Sequence, residues 1–251
     1  MTSATGTADV ALPARKRTQY LCAAGTLSVR YPTIWRRVWL TLELLLIYLA
    51  VPLAVWSAVH DHRLPVFIAL MPVLVVIIAF LVVDPSFSMR REFTALFGWK
   101  TFLSILVVFA IGGGAVAYYV HTFHPHWLFE FPRNRPQTYQ RVMLLYPVMS
   151  VITQELVYRT FFFHRYGVLF GPAHWLAILL NGVLFGFGHI VIGTDLALYG
   201  TMATGVLFAL RYAVTRSFWA VFIEHWLWGA LVFTVGLGRF FFAGVGIASW
   251  R

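Results

Sequence analysis

Four side chains in this sequence could together build a water-activating site in an otherwise apolar chain: Glu155, Arg159, His189 and His225. A charged side chain at the centre of a bilayer costs roughly 2.5–3.5 kcal/mol on insertion scales, so each one needs a partner or a task. Glu155 and Arg159 are four residues apart, acid before base, the order in which a helical pair attracts best. Alone, they read as a pair that neutralises itself so the helix can insert. His189 closes the string Phe185-Gly-Phe-Gly-His189, and alone it reads as a satisfied core histidine. His225 follows Glu224 directly; neighbours on a helix point about 100° apart, so at most one of them faces the cavity of Glu155. Glu224 is then a partner that orients a histidine, or an interfacial carboxylate. Together the four are the parts of a water-activating site, with an imidazole or carboxylate to take a proton and the other groups to steady an oxyanion.

The elements that must position them follow from composition. The chain has 251 residues, 60% hydrophobic and only 11% charged, with a mean hydropathy of +0.78. A soluble domain needs more charge to cover its surface. In lipid the backbone must satisfy its own polar groups, which leaves helices or a closed barrel. Apolar runs of about twenty residues without strict alternation point to helices. The pattern predicts an all-α, polytopic membrane bundle of about seven transmembrane helices, near residues 38–59, 64–84, 101–121, 142–163, 173–192, 196–213 and 217–238. The active-site core is expected in the last four.

Residues 1–37 read as a basic, partly disordered tail and 38–251 as a single transmembrane domain. The stretch 85–100, with Arg90, Arg91, Glu92 and Lys100, is expected at the interface, and 122–141 is the longest loop. Thr2–Leu12 is too polar for a signal peptide, and the lone Cys22 permits no internal disulfide. The net charge of +10 comes from residues at span ends, so the expected partner is the lipid bilayer and no nucleic acid. With the N-terminus in the cytoplasm, twelve Lys/Arg residues fall on the inner side, counting Arg15, Lys16, Arg17, Arg30, Arg36, Arg37, Arg90, Arg91, Lys100, Arg165, Arg211 and Arg216. Six fall outside: Arg63, Arg133, Arg135, Arg141, Arg239 and Arg251. Gly182 with Gly186, and Gly200 with Gly205, are small residues that let helices approach closely.

In order and spacing, three strings resemble the CPBP intramembrane proteases, which include the CAAX prenyl endopeptidases and bacteriocin-processing or immunity proteins. The family pattern is Glu-Glu-x-x-x-Arg, then Phe-x-x-x-His, then His-x-x-x-Asn on a later helix. Here the strings are Gln154-Glu155-Leu-Val-Tyr-Arg159, Phe185-Gly-Phe-Gly-His189 and His225-Trp-Leu-Trp-Gly229, and the resemblance covers roughly 145–236 within a core of about 142–238. It implies a glutamate-type intramembrane peptidase with no metal and no cofactor, acting on a membrane-anchored peptide or protein, in a bacterial inner membrane. Carried over, Glu155 and His189 handle the water and its proton, His225 stabilises the oxyanion, and Arg159 holds the acid. Gln154 and Phe185 position water or substrate. Two positions depart from the pattern. Gln154 replaces the first glutamate, and an amide is no general base; Gly229 replaces the asparagine, which removes a candidate oxyanion donor. The chain is then either an active variant using Glu155 or an inactive protein that keeps the fold.

Other classes remain open at this point. No His-Glu-x-x-His string marks a zinc site. A proton-coupled transporter would use Glu43, Glu155, Glu224 and the histidines as a relay, although no inverted repeat is visible. A bis-histidine haem protein would use His189 and His225 and leave Glu155 and Arg159 without a role. Depth raises one question. At roughly 1.5 Å per residue, Glu155 and His225 lie about 12 Å from the inner ends of their spans, and His189 about twice as deep. Either the fifth span starts later, its helix is displaced outward, or His189 is outside the site.

Overall fold

The computed structural model describes residues 17–22, 25–30 and 32–241. Within the basic N-terminal stretch, Arg17–Cys22 (β1) and Gly25–Arg30 (β2) pair antiparallel, with Arg17 opposite Arg30. The rest of residues 1–31, with Arg15 and Lys16, and residues 242–251, with Arg251, lie outside the described residues.

All seven expected spans are helices. They are α1 (Ile34–His60), α2 (Val66–Val83), α4 (Trp99–Phe123), α6 (136–170), α7 (His174–Ile192), α8 (Asp195–Thr215) and α9 (Phe218–Thr234). The short helices α3 (Met89–Thr94) and α5 (Glu130–Asn134) lie between them. By length and apolarity α1, α2, α4, α7 and α8 each suffice to cross a membrane, and α9 is a shorter apolar helix. The helix α6 differs most from expectation. It runs from Pro136, whose missing N–H is harmless in a first turn, to Gly171, whose φ of +50° ends it. The expected long loop 122–141 is correspondingly filled by α5, the start of α6 and a short 3₁₀ turn at Pro125–Trp127.

Two π-helical turns, Pro147–Val151 and Leu156–Phe161, widen α6 on either side of Ile152–Glu155. Such turns release backbone carbonyls, which in a bilayer must find donors. Tyr48, itself in a π-turn of α1 (Leu46–Ala50), donates its hydroxyl to the Val157 carbonyl at 2.7 Å, and the Asn181 amide donates to the Tyr158 carbonyl. Around these contacts the aromatic side chains of α6 pack against α1, α2, α7 and α8 to form the main core, which includes Tyr48, Phe162, Tyr166 and Phe208.

The closest helix contact is α7 against α8. A Cβ on Gly182 would strike the Val206 backbone, and one on Gly186 would strike Met202 and the Leu198 carbonyl. Gly205 answers from α8, lying against Phe185 and the Gly182 carbonyl. In the segment 85–100, α3 is capped by Ser88 and packs on the start of α9, where the Phe93 carbonyl accepts from the Trp219 indole and the Ala95 carbonyl from the Ser217 hydroxyl. Its Glu92 is fully buried, and one carboxylate oxygen takes hydrogen bonds from Thr160 and Tyr212. Burial raises the Glu92 pKa above its ordinary 4.5, and the two hydroxyl donors only partly oppose this.

Two predictions follow from this packing. Gly186→Val should destabilise the protein by about 1–3 kcal/mol through overpacking. Gly200→Val, where the nearest atom lies 3.9 Å from the added Cβ, should do far less, as read from thermal unfolding in detergent. A raised carboxyl pKa stabilises the fold fully below the ordinary 4.5 and loses that contribution as pH rises through the folded value. The thermal midpoint should therefore fall as pH rises above 4.5, and Glu92→Gln should flatten that slope.

Candidate active site

Glu155 lies between the two π-turns, fully buried, with both carboxylate oxygens occupied. Oε1 is 2.7 Å from His225 Nδ1, and Oε2 is 3.2 Å from Arg159 Nε. Arg159 is also fully buried: Nη1 donates to Asn181 Oδ1 at 2.8 Å, and the guanidinium lies over the faces of Phe185 at 4.6 Å and Phe208 at 5.7 Å. Asn181 passes the connection on, since its amide donates to the Tyr158 carbonyl. One polar chain thus runs from α9 through α6 to α7.

His225 is held from two directions. Glu155 takes Nδ1–H, and the ring stacks on Phe208 with centroids 4.7 Å apart and planes 22° apart. His189 sits where α7 tightens into a 3₁₀ turn, and its Nδ1 is 2.8 Å from the Phe185 carbonyl. A carbonyl only accepts, so Nδ1 carries the proton and Nε2 keeps a free lone pair. The Phe185 ring touches both imidazoles edge-on, His189 at 4.8 Å and His225 at 5.6 Å. His189 therefore lies beside the others, and α6 runs on to Phe170, past the expected end at 163, so Glu155 is as many residues from that end of its helix as His189 is from His174. Gln154 donates to the Ser150 hydroxyl at 2.9 Å, while its Oε1 is buried without a partner.

Two other carboxylates are committed elsewhere. Glu224 forms a two-bond pair with Arg211, at 2.8 and 3.0 Å, so it orients no histidine. Glu43 is held the same way by Arg165, with a third bond from Tyr166. Asp84, Ser86 and His164 meet at the edge of the bundle, but aspartate and serine both approach the same nitrogen, Nε2, so no proton can be relayed through that ring. Among the described residues, no group of three or more histidine, cysteine, aspartate or glutamate side chains is placed to hold a metal ion.

Sequence reasoning missed Asn181, Phe208 and Tyr146. Asn181 was readable, for Asn181, Phe185 and His189 repeat at four-residue spacing and share a helix face. Phe208 carries no such signal in an apolar helix. Tyr146 lies eight residues before Gln154, with Ser150 between them on the same repeat.

The fold and this site define a polytopic α-helical membrane protein whose interior holds a carboxylate–imidazole centre. Residues 136–231, which contain every member of the polar chain, match the family model described as type II CAAX prenyl endopeptidase Rce1-like. That is a family of peptidases, and it is the one the three ordered motifs resemble. No curated protein and no solved structure matches the chain.

Removing one partner of a buried ion pair strands the other, at about 3–5 kcal/mol. Arg159→Met should lower stability by that amount, and Arg159→Met combined with Glu155→Gln should recover much of the loss. Chemical unfolding of the purified protein in detergent measures both.

Proposed function

We propose that this protein is an intramembrane endopeptidase that hydrolyses a peptide bond near the membrane surface in a lipid-anchored or tail-anchored chain. The observation that carries the reading is the pair of differently prepared imidazoles around Phe185. Both give Nδ1–H away, His189 to a neutral carbonyl, which leaves its Nε2 lone pair free, and His225 to a buried carboxylate, which supports a second proton on its ring. On this reading the basic N-terminal stretch lies in the cytoplasm, which the Lys/Arg bias supports, and a bacterial inner membrane is what the motif resemblance implies.

The roles shift from those the motifs alone imply. Glu155 has no exposed surface, with Oε1 bonded to His225 and Oε2 in ion contact with Arg159, so it acts as the group that orients His225 and balances Arg159, not as the base. His189 Nε2 takes a proton from water as the water oxygen bonds to the scissile carbonyl carbon. The carbonyl electrons move onto oxygen, and His225 stabilises this oxyanion in its doubly protonated form, with Nδ1–H held by Glu155 and Nε2–H given to the oxygen. When the carbon–nitrogen bond breaks, the His189 proton goes to the leaving nitrogen, giving an acid and an amine. Gln154 Oε1, buried and unpartnered, can accept a hydrogen bond from the same water, the service an amide can give without being a base. A relay through Glu43 and Glu224 is disfavoured because each is locked to an arginine.

The test is cleavage by purified protein in vesicles, using three peptides: one with a farnesylated CAAX end, one leader peptide and one carboxy-terminal sorting tail. His189→Ala should cost about 10²–10⁴-fold in kcat, the usual worth of a general base. Glu155→Gln and His225→Ala should abolish detectable turnover at unchanged protein level. Cleavage only by Gln154→Glu would identify an inactive protein with an intact scaffold. Silence from every form against all three peptides would overturn the reading.

A further inference from the structure

One turn after His225 on α9, Gly229 has no side chain, and its place is taken by another residue. A Cβ there would fall inside the Tyr146 phenol, within contact of its hydroxyl, Cε1 and Cζ. Tyr146 reaches the spot from α6, at the entrance to the first π-turn, and its ring packs edge-on against His225 at 6.3 Å and against Phe233 at 5.6 Å. Among the described residues its hydroxyl has no hydrogen-bond partner. Three other tyrosines of the bundle pair their hydroxyls, Tyr48 with the Val157 carbonyl, Tyr166 with Glu43 and Tyr212 with Glu92, while Tyr158 keeps its hydroxyl against Gly188, away from His225. A phenylalanine would give the same ring packing, so packing alone does not account for the hydroxyl.

Resting on the peptidase reading above, we infer that Tyr146 is the second hydrogen-bond donor to the oxyanion, working beside His225 from the space that Gly229 leaves open. A neutral phenol is a suited donor, since its unperturbed pKa of about 10 keeps the proton in place at neutral pH. The His-x-x-x-Asn motif carries a donor on α9 itself; here the donor comes across from α6, and the glycine is what admits it. Gly229 is thus a positional requirement for Tyr146 and not a simple loss. In the reaction, the Tyr146 O–H stays on its oxygen throughout. It gives a hydrogen bond that strengthens as the carbonyl oxygen gains charge, and weakens again when the carbon–nitrogen bond breaks and the carbonyl re-forms.

The experiment measures kcat and KM separately, in whichever of the wild type and Gln154→Glu cleaves one of the three peptides, with thermal midpoints recorded alongside. Tyr146→Phe keeps the ring and removes only the hydroxyl. The expected result is a kcat lower by about 10²–10³-fold, the usual worth of one oxyanion donor, with KM and the midpoint unchanged. Tyr146→Ala with Gly229→Asn returns an amide donor to the vacated space, and should turn over at least about tenfold faster than Tyr146→Ala alone. A Tyr146→Phe enzyme within about threefold of its parent in kcat, or one whose loss lies in KM, overturns the assignment. The peptidase reading survives that outcome so long as His189→Ala still lowers kcat by about 10²–10⁴-fold. If neither parent cleaves any peptide, both fall together.

Discussion

Everything in the interior is arranged around one constraint: a charge buried in lipid must be matched by another group on a neighbouring helix. The Glu155–Arg159 pair is the central instance, since neither side chain has any exposed surface. Their mutual contact is an ion contact without hydrogen-bond geometry, so each spends its remaining capacity on another helix, Glu155 on α9 through His225 and Arg159 on α7 through Asn181. Glu43 with Arg165 ties α1 to α6, and Glu224 with Arg211 ties α9 to α8. The bundle is therefore cross-linked by polar contacts where hydrophobic contrast with lipid cannot drive helix association.

The same constraint accounts for the irregular backbone of α6. A straight α-helix would satisfy its own carbonyls and present its side chains at fixed angles. The π-turns give up that regularity around Glu155, and the freed carbonyls are met by Tyr48 and Asn181. Asn181 serves twice, once for the backbone and once for Arg159.

Sequence patterning made much of this legible, and its failures have physical causes. The seven spans and the three motifs were readable because long apolar runs and charged residues within them are both conspicuous in lipid-facing composition. The ends of α6 were not, because that helix is polar enough to dilute the hydropathy signal, and its true boundaries are set by Pro136 and Gly171. Glu155 and His225 were both picked out from the sequence, yet their contact was not, since it depends on how a π-widened helix faces α9. Glu92 was read as an ordinary interfacial charge; only the fold of α3 under the bundle turns it inward. The role of Gly229 was read as a deletion because sequence shows what a position lacks and not what has moved into it.

The glycine seam between α7 and α8 has a consequence for traffic. With backbone against backbone at Gly182, Gly186 and Gly205, no acyl or prenyl chain can slide between those two helices, and the short link at residues 193–194 closes their far end. The hairpin is a solid wall behind His189. Elsewhere around the polar centre helices meet through large side chains instead, as Tyr146 and Phe233 do between α6 and α9.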